Sequence, residues 1–312
     1  MAMSTGSYHF RRPTQDDFQA VADLVRTVEN FDSEDEEDPT EYVKILFRLL
    51  DFDQDAWLVE DDEGRAVAVG GVRRRIATRI RAFGGVLPEH RGRGIGTGLL
   101  ERMEERARAL AADAPEGEEV LMGGDVASGN EGAKRLFEER GYEHARYFWK
   151  MGIDLDQETP EPEWPEGIRV DHARRDRDEP AVHAASDEAF QDHWDHHPTP
   201  YEEWREWMVD SDWYDPSLWL LAWDGDEIAA LSLCSLDPKE GWIGVLGTRR
   251  PWRRRGLAKA LLYASFNEIR ARGKPRAVLG VDAQNPTGAT RLYEGAGMRV
   301  LSESAAYRLR VR

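Results

Sequence analysis

The chain is poor in several residue types and segments, and each shortage excludes a class of protein. Cys234 is the only cysteine among 312 residues, which excludes an intramolecular disulfide and a cysteine-based metal cluster. No run approaches the roughly 18 apolar residues that a membrane span needs, and residues 1–12 lack the apolar segment of a secretory signal. These absences predict a cytoplasmic protein that does not bind membranes.

Positive charge is also scarce. Asp and Glu number 60 against 42 Lys and Arg, which gives a formal net charge of −18. Such an acidic balance disfavours non-specific nucleic-acid binding and suits a small cationic substrate. The acidic run at residues 31–39 predicts a solvated loop. A local group of arginines suggests nucleic-acid binding as a weaker alternative: Arg249, Arg250, Arg253, Arg254 and Arg255.

The length of the chain favours two domains of roughly 150 residues each. Residues 1–153 and 168–312 each read as a mixture of strands and helices in the same order, which predicts two α/β domains with mixed sheets. Residues 154–167 contain three prolines among acids and predict an extended linker.

One local pattern occurs twice: an apolar strand, then a basic turn with glycine, then the start of a helix. The aligned pairs are Gly85 with Gly247, Arg91 with Arg253, Gly94 with Gly256, and Gly96 with Ala258. The first N–H groups of a helix have no partner within the helix, and the helix dipole adds partial positive charge there. We refer to residues 91–96 and 253–258 as the glycine turns, and each predicts a phosphate site.

The glycine turns resemble the pyrophosphate-binding motif of the GNAT superfamily of acetyl-CoA-dependent N-acetyltransferases. Residues 285–298 resemble the second motif of that family, and residues 130–142 are their counterpart in the first half. The resemblance implies two tandem GNAT domains that use acetyl-CoA and no metal. The residues expected to contact acetyl-CoA are Leu246, Gly247, Thr248, Arg253, Arg254, Arg255, Gly256, Leu257, Ala258, Lys259 and Asn285 in the second half, and Gly84, Gly85, Val86, Arg91, Gly92, Arg93, Gly94, Ile95, Gly96 and Thr97 in the first.

The two halves differ at the position to which the family assigns a proton donor. Tyr293 matches that tyrosine, whereas the first half has Phe137, which has no proton to give. We therefore expect catalysis in the second half. The first half either binds acetyl-CoA or only maintains the fold.

The general base is less defined by the sequence. His193 and Glu240 rank equally, ahead of Asp237 and Asp282. The tandem architecture resembles that of the mycothiol synthases, whose catalytic glutamate would fall at Trp242 in this chain. This mismatch predicts an amine other than the cysteinyl amine of that family.

The acceptor region is expected within residues 193–223. Its aromatic residues suggest an aromatic-walled pocket: Trp194, Trp204, Trp207, Trp213, Tyr214 and Trp219. The histidines His193, His196 and His197 have no patterned carboxylate nearby, which disfavours a metal site.

The sequence as a whole predicts an enzyme that moves an acetyl group from acetyl-CoA to a primary amine of a small molecule by direct attack in a ternary complex. We expect it to act as a monomer or homodimer. The alternative is a non-catalytic acyl-CoA-binding or regulatory protein with the same fold.

Overall fold

A computed structural model describes residues 7–32 and 38–312. The centre of the acidic run that predicts a solvated loop, residues 33–37, lies outside the described residues. The chain divides into two compact units. Unit 1 extends to Phe148 and takes in Ser302–Arg312, and unit 2 comprises Trp149–Leu301.

Unit 1 alternates strands and helices around one sheet. Its elements in chain order are β1 (His9–Arg11), α1 (Phe18–Asp32), α2 (Thr40–Leu49), α3 (Phe52–Asp55), β2 (Ala56–Glu60), β3 (Ala66–Ile76), β4 (Arg79–Val86), α4 (Ile95–Ala111), β5 (Leu121–Ala127), α5 (Glu131–Glu139) and β6 (Glu143–Asp154), which continues into unit 2. β1 to β4 pair antiparallel in sequence order, and β4 pairs parallel with β5. The helix α4 buries one apolar face: Leu99, Met103 and Ala107 are at most 7% exposed.

Unit 2 repeats this plan. Its elements are β7 (Ile168–His172), α6 (Glu179–Phe190), α7 (Tyr201–Met208), β8 (Trp219–Asp224), β9 (Glu227–Leu236), β10 (Gly241–Thr248), α8 (Leu257–Ala271), β11 (Arg276–Asp282), α9 (Ala289–Gly295) and β12 (Arg299–Arg310), which continues into unit 1. β7 to β10 pair antiparallel, and β10 pairs parallel with β11. On α8, Leu261, Phe266 and Ile269 are fully buried.

The units are bounded differently from the domains predicted from the sequence. Residues 302–312 belong to unit 1, where Ser304–Arg310 of β12 pairs antiparallel with Leu121–Ala127 of β5. An edge strand exposes a row of unpaired N–H and C=O groups, and this pairing satisfies those of β5. The end of the chain therefore completes the sheet of the unit at its beginning.

The helix α7 begins after Pro200 without a side-chain cap. The carbonyl oxygen of Thr199 is 2.8 Å from the Nε2 atom of His183. Among the described residues, no helix is long and apolar enough to cross a membrane.

Candidate functional site

The parallel strands β10 and β11 separate towards their carboxyl ends. They pair at Gly241 with Ala277 and at Trp242 with Val278, and the ladder ends there, although β10 continues to pair with β9 as far as Thr248. A bulge lies in β10 between Ile243 and Val245. The edge of β10 that faces β11 thus leaves main-chain groups for an extended ligand to pair with as a strand would.

The same separation occurs in unit 1. β4 and β5 pair from Arg79 with Leu121 to Arg81 with Gly123, and their ladder ends there, while β4 pairs with β3 up to Val86. Each unit therefore has a cleft between the carboxyl ends of two parallel strands. We call these the unit 1 cleft and the unit 2 cleft.

Each glycine turn lies between the first strand of its cleft and the following helix. Gly94 and Gly256 have φ of 83° and 89° and immediately precede α4 and α8, and neither helix has a side-chain cap. Two residues earlier the backbone is again left-handed, at Gly92 with φ 72° and at Arg254 with φ 63°. Such a turn directs successive N–H groups outward at the positive end of a helix, which is an arrangement suited to phosphate.

The glycine that precedes each turn is required for packing. A Cβ atom on Gly247 would lie 2.9 Å from Cβ of Ala189 in α6, and one on Gly85 would lie 2.7 Å from Cγ1 of Val28 in α1. A helix therefore lies directly on the strand beside the cleft in both units. Substitution at either position would displace that helix.

The first arginine of each turn braces the turn. Nε of Arg253 donates to the carbonyl of Thr248 at 3.1 Å, and Nε of Arg91 donates to that of Val86 at 3.0 Å. Arg253 also bonds Asp192 at 2.6 Å. With Arg250 on the same carboxylate, the two guanidinium groups hold the pKa of Asp192 well below its usual range. The guanidinium groups of Arg91 and Arg253 are thus engaged by the protein, so the predicted contact with acetyl-CoA falls to their main-chain atoms.

Other residues that the sequence predicts to contact acetyl-CoA also have side chains engaged within the protein. The side chains of Ile95 and Leu257 are buried in the cores, at 2% and 1% exposed, so they can offer a ligand only main-chain atoms. Oδ1 of Asn285 accepts from the N–H and hydroxyl of Thr287, and this shapes the loop before α9.

The basic residues of the unit 2 turn fall into two groups. Arg249 pairs with Glu188 and Glu227, and the guanidinium group of Arg250 pairs with Asp192. Arg254 and Lys259, by contrast, are exposed at the turn. The arginine cluster is therefore largely neutralised by carboxylates, which argues against a nucleic-acid surface, and the remaining charge is concentrated at the start of α8.

Tyr293 lies on α9 and is 7% exposed. Its hydroxyl has no hydrogen-bond partner among the described residues, and burial raises its pKa to about 12. The group therefore retains its proton at neutral pH. At the matching place in unit 1, the ring of Phe137 packs against Tyr142 at 4.7 Å between centroids.

The two leading candidates for a general base lie at opposite ends of β10. Glu240 immediately precedes β10, at the end where β10 and β11 pair, and its carboxylate forms a buried ion pair with Lys150 at 2.9 Å. A strand rises about 3.3 Å per residue, so Glu240 lies about 26 Å from Thr248 at the other end of β10. Because the pantetheine arm along β10 would separate the thioester from the pyrophosphate at the turn, Glu240 stays a predicted base, with its carboxylate engaged by Lys150.

His193 lies at the other end. Its ring is 5.8 Å from that of Phe190, and a Cβ atom on Gly247 would lie 3.3 Å from the Phe190 ring. The histidine thus follows α6 beside the carboxyl end of β10. Its Nδ1 atom is 3.1 Å from the carbonyl oxygen of Trp194.

Two further candidate residues lie on the strands β10 and β11. Trp242, at the place of the family's glutamate, has its ring 5.0 Å from Nζ of Lys150, and its Nε1 donates to Asp237 at 3.1 Å. Asp282, which the sequence ranked low, ends β11 and is 1% exposed. Its Oδ1 accepts from the N–H of Gln284, whereas its Oδ2 has no partner among the described residues.

Part of the predicted aromatic-walled pocket belongs to the hydrophobic core of unit 2. Trp219 and Tyr214 are 2% and 8% exposed, and their rings pack edge to face at 4.8 Å. Trp204 packs against the same core while remaining half-buried. In the described residues, no group of three or more His, Cys, Asp or Glu side chains could hold a metal ion.

Known proteins resemble the chain in both sequence and structure. The acetyltransferase (GNAT) family matches residues 19–142 and 180–298. The mycothiol acetyltransferase of Saccharopolyspora erythraea is 30% identical over 76% of this chain and 80% of its own length. A GCN5-related N-acetyltransferase from Sphaerobacter thermophilus is 36% identical, with a TM-score of 0.84 over 100% of this chain and 98% of that one.

A tandem GNAT protein from the clavulanic acid biosynthesis pathway shares the fold, with a TM-score of 0.74 at 17% identity over 98% of this chain and 99% of that one. The predicted α/β fold with two GNAT domains is thereby confirmed.

Proposed function

Because the chain belongs to the GNAT family of acetyltransferases, and is therefore an acyltransferase, we propose that unit 2 transfers the acetyl group of acetyl-CoA to a primary amine of a small molecule. One combination of features supports this proposal: unit 2 has a cleft, a glycine turn of a shape suited to phosphate and, on the helix after the cleft, a buried tyrosine whose hydroxyl has no partner among the described residues.

The residues of unit 2 fit acetyl-CoA in two ways. The outward N–H groups of residues 254–258, with the charges of Arg254 and Lys259, suit its pyrophosphate. The free edge of β10 suits the amide chain of pantetheine. At the end of that strand, Oγ1 of Thr248 is buried without a partner among the described residues, and a ligand amide would satisfy it.

The proposed reaction is a direct displacement. The neutral amine nitrogen attacks the thioester carbonyl carbon, and a main-chain N–H of β10 stabilises the oxyanion that forms. The C–S bond then breaks, and the thiolate of CoA takes the proton of Tyr293. The proton lost by the amine passes to a base, for which His193 and Glu240 are the two candidates, and an equivalent proton returns Tyr293 to its neutral form through water.

The identity of the amine is set on the acceptor side of the cleft. The relatives named mycothiol acetyltransferase make a cysteinyl amine one candidate. Against it, the place of the family's glutamate holds Trp242, whose indole is bound to Asp237 and lies over Lys150. We propose a different small amine, and the net charge of −18 favours a cationic one.

An amine panel assayed by CoA release, with acetyl-CoA as donor and the full chain as enzyme, tests this function. The panel should include cysteinyl, aliphatic and polycationic amines. We expect turnover with at least one non-cysteinyl amine. Turnover with the cysteinyl amine alone would refute the proposed acceptor, and no turnover despite tight binding of acetyl-CoA would favour the non-catalytic alternative.

A further inference from the structure

Asp32, the last residue of α1, joins two segments of unit 1. Its carboxylate accepts from both terminal nitrogens of Arg91, at 2.7 and 2.9 Å, and from Nδ2 of Asn130 at 2.8 Å. The side chain of Asp32 is 12% exposed and that of Arg91 is 26% exposed. A bidentate, largely buried carboxylate with a third donor is among the stronger contacts a protein makes.

The two partners of Asp32 lie on opposite walls of the unit 1 cleft. Arg91 opens the glycine turn that follows β4, and Asn130 caps α5 after the end of β5. The main chains also approach each other here, since a Cβ atom on Gly129 would lie 3.8 Å from the carbonyl oxygen of Asp32. The carboxylate therefore spans the cleft where β4 and β5 have separated.

Unit 2 has the same parts without this bridge. Asp192 bonds Arg250 and Arg253, both of which lie on one wall of the cleft. The counterpart of Asn130 is Asn285, whose Oδ1 is directed at Thr287 within its own loop. The carboxylate of Asp192 therefore holds one wall of the unit 2 cleft and does not link it to the loop before α9.

The unit 1 turn also has less charge for a phosphate. Gly92 stands where unit 2 has the exposed Arg254, and Thr97 stands where it has Lys259. Val86 replaces Thr248, so the hydroxyl at the end of the strand is absent as well. Arg93 remains, and its guanidinium group donates to the hydroxyl of Tyr8 at 3.0 Å.

We propose that Asp32 fills the acyl-CoA cleft of unit 1 with its own carboxylate, so that the chain binds one acetyl-CoA and not two. An incoming pantetheine arm would have to break three hydrogen bonds. The pyrophosphate would also meet a negative charge at the turn that should attract it. The inference rests on the proposed function, because it takes the unit 2 cleft as the site that acetyl-CoA does occupy.

Binding stoichiometry of acetyl-CoA to the full chain, by isothermal titration calorimetry, tests the proposal. We expect one acetyl-CoA site in the unchanged chain and a second site in the Asp32→Ala variant. Asp192→Ala is the matched control, because it removes the corresponding carboxylate of unit 2, and it should gain no site. The double variant Asp32→Ala/Arg93→Glu should lose the added site. Two sites in the unchanged chain would overturn the proposal, and so would one site in a folded Asp32→Ala protein. No binding at all would instead refute the proposed function.

Hydrogen exchange on the unchanged chain provides a test that does not depend on the folding of a variant. On addition of acetyl-CoA, we expect slower amide exchange at residues 254–259 and unchanged exchange at residues 92–97. Slower exchange in both segments would contradict the closed cleft of unit 1. If exchange slows in neither segment and no heat of binding is measured, the proposed function itself is refuted.

Discussion

The two glycine turns share a backbone but differ in the groups around it. In both, an arginine bonds the last carbonyl of the preceding strand, and a left-handed glycine precedes the helix. Around this common frame, unit 2 has the exposed charges of Arg254 and Lys259 and a tyrosine hydroxyl. Unit 1 has glycine and threonine in place of those two charges, a phenylalanine, and the bridging carboxylate of Asp32.

This comparison separates what maintains the fold from what binds and reacts. Arg91 and Arg253 hydrogen-bond the main chain of their own units, and Gly85 and Gly247 allow α1 and α6 to pack on the strands. These residues maintain the fold, so both units need them. The hydroxyls of Tyr293 and Thr248, by contrast, have no partner among the described residues, and only unit 2 has them. Paired variants at matched positions can therefore test each role.

The largest expected effect is at the proton donor. Tyr293→Phe removes the hydroxyl and keeps the ring, so kcat should fall by about 10²–10⁴-fold with little change in KM for acetyl-CoA. Because burial raises the pKa of Tyr293 to about 12, the tyrosine-dependent activity should show no alkaline loss below that pH. Steady-state kinetics across a pH series measures both.

The matched variant is Phe137→Tyr, which adds a hydroxyl to unit 1. We expect it to leave kcat unchanged, because acetyl-CoA does not reach that cleft. Undiminished turnover in Tyr293→Phe would remove the case for acid catalysis by this residue.

The next effect concerns the packing of a helix on each cleft strand. A Cβ atom at Gly247 would overlap Ala189, and one at Gly85 would overlap Val28. Each alanine variant should therefore lower the free energy of unfolding by about 1–3 kcal/mol, measured by urea denaturation. Because α6 leads into the loop with His193, Gly247→Ala should also lower kcat, and an equal loss of kcat in Gly85→Ala would contradict the division of labour.

A smaller effect is expected at the left-handed glycines. Gly256→Ala and Gly94→Ala should each cost about 1 kcal/mol in stability, because an L-residue is strained at φ near 85°. The turn must hold this shape to bind pyrophosphate, so KM for acetyl-CoA should rise about 5–10-fold in Gly256→Ala. It should stay constant in Gly94→Ala, and a rise there would indicate that unit 1 binds acetyl-CoA.

Short-range features could be read from the sequence. The spacing from Arg253 to Ala258 and the apolar faces of α4 and α8 depend on neighbours within a few residues, so the turns and helices were predicted with their places in order. The membership of residues 302–312 in unit 1 could not be read this way. Strand pairing over such a separation depends on which edge is left open, and no local pattern records that.

The candidate functional side chains also divide into those that a local motif predicts and those whose partners are distant in the sequence. Tyr293 was predicted through its motif, whereas the ion pair that ties Glu240 to Lys150 joins residues 90 positions apart and could not be predicted from local sequence. Asp32 was predicted as part of a solvated acidic loop, and the structure instead places it at the end of α1 with its side chain 12% exposed, because its role depends on Arg91 and Asn130 meeting across a cleft. A buried carboxylate with distant partners can be recognised only in three dimensions.

The smallest expected effect is at Arg254, the one position of the unit 2 turn where a side chain adopts a left-handed backbone, with φ of 63°. Arg254→Gly relieves this strain, but glycine also loses more entropy on folding, so stability should change by less than about 1 kcal/mol. The variant removes an exposed positive charge, and KM for acetyl-CoA should rise about two- to fivefold at low salt and less at high salt. Gly92→Arg in unit 1 is the reverse substitution, and it should leave KM unchanged while Asp32 is in place. A salt-independent KM in Arg254→Gly, equal to that of the unchanged chain, would mean that the main-chain N–H groups of the turn bind the pyrophosphate without help from this guanidinium.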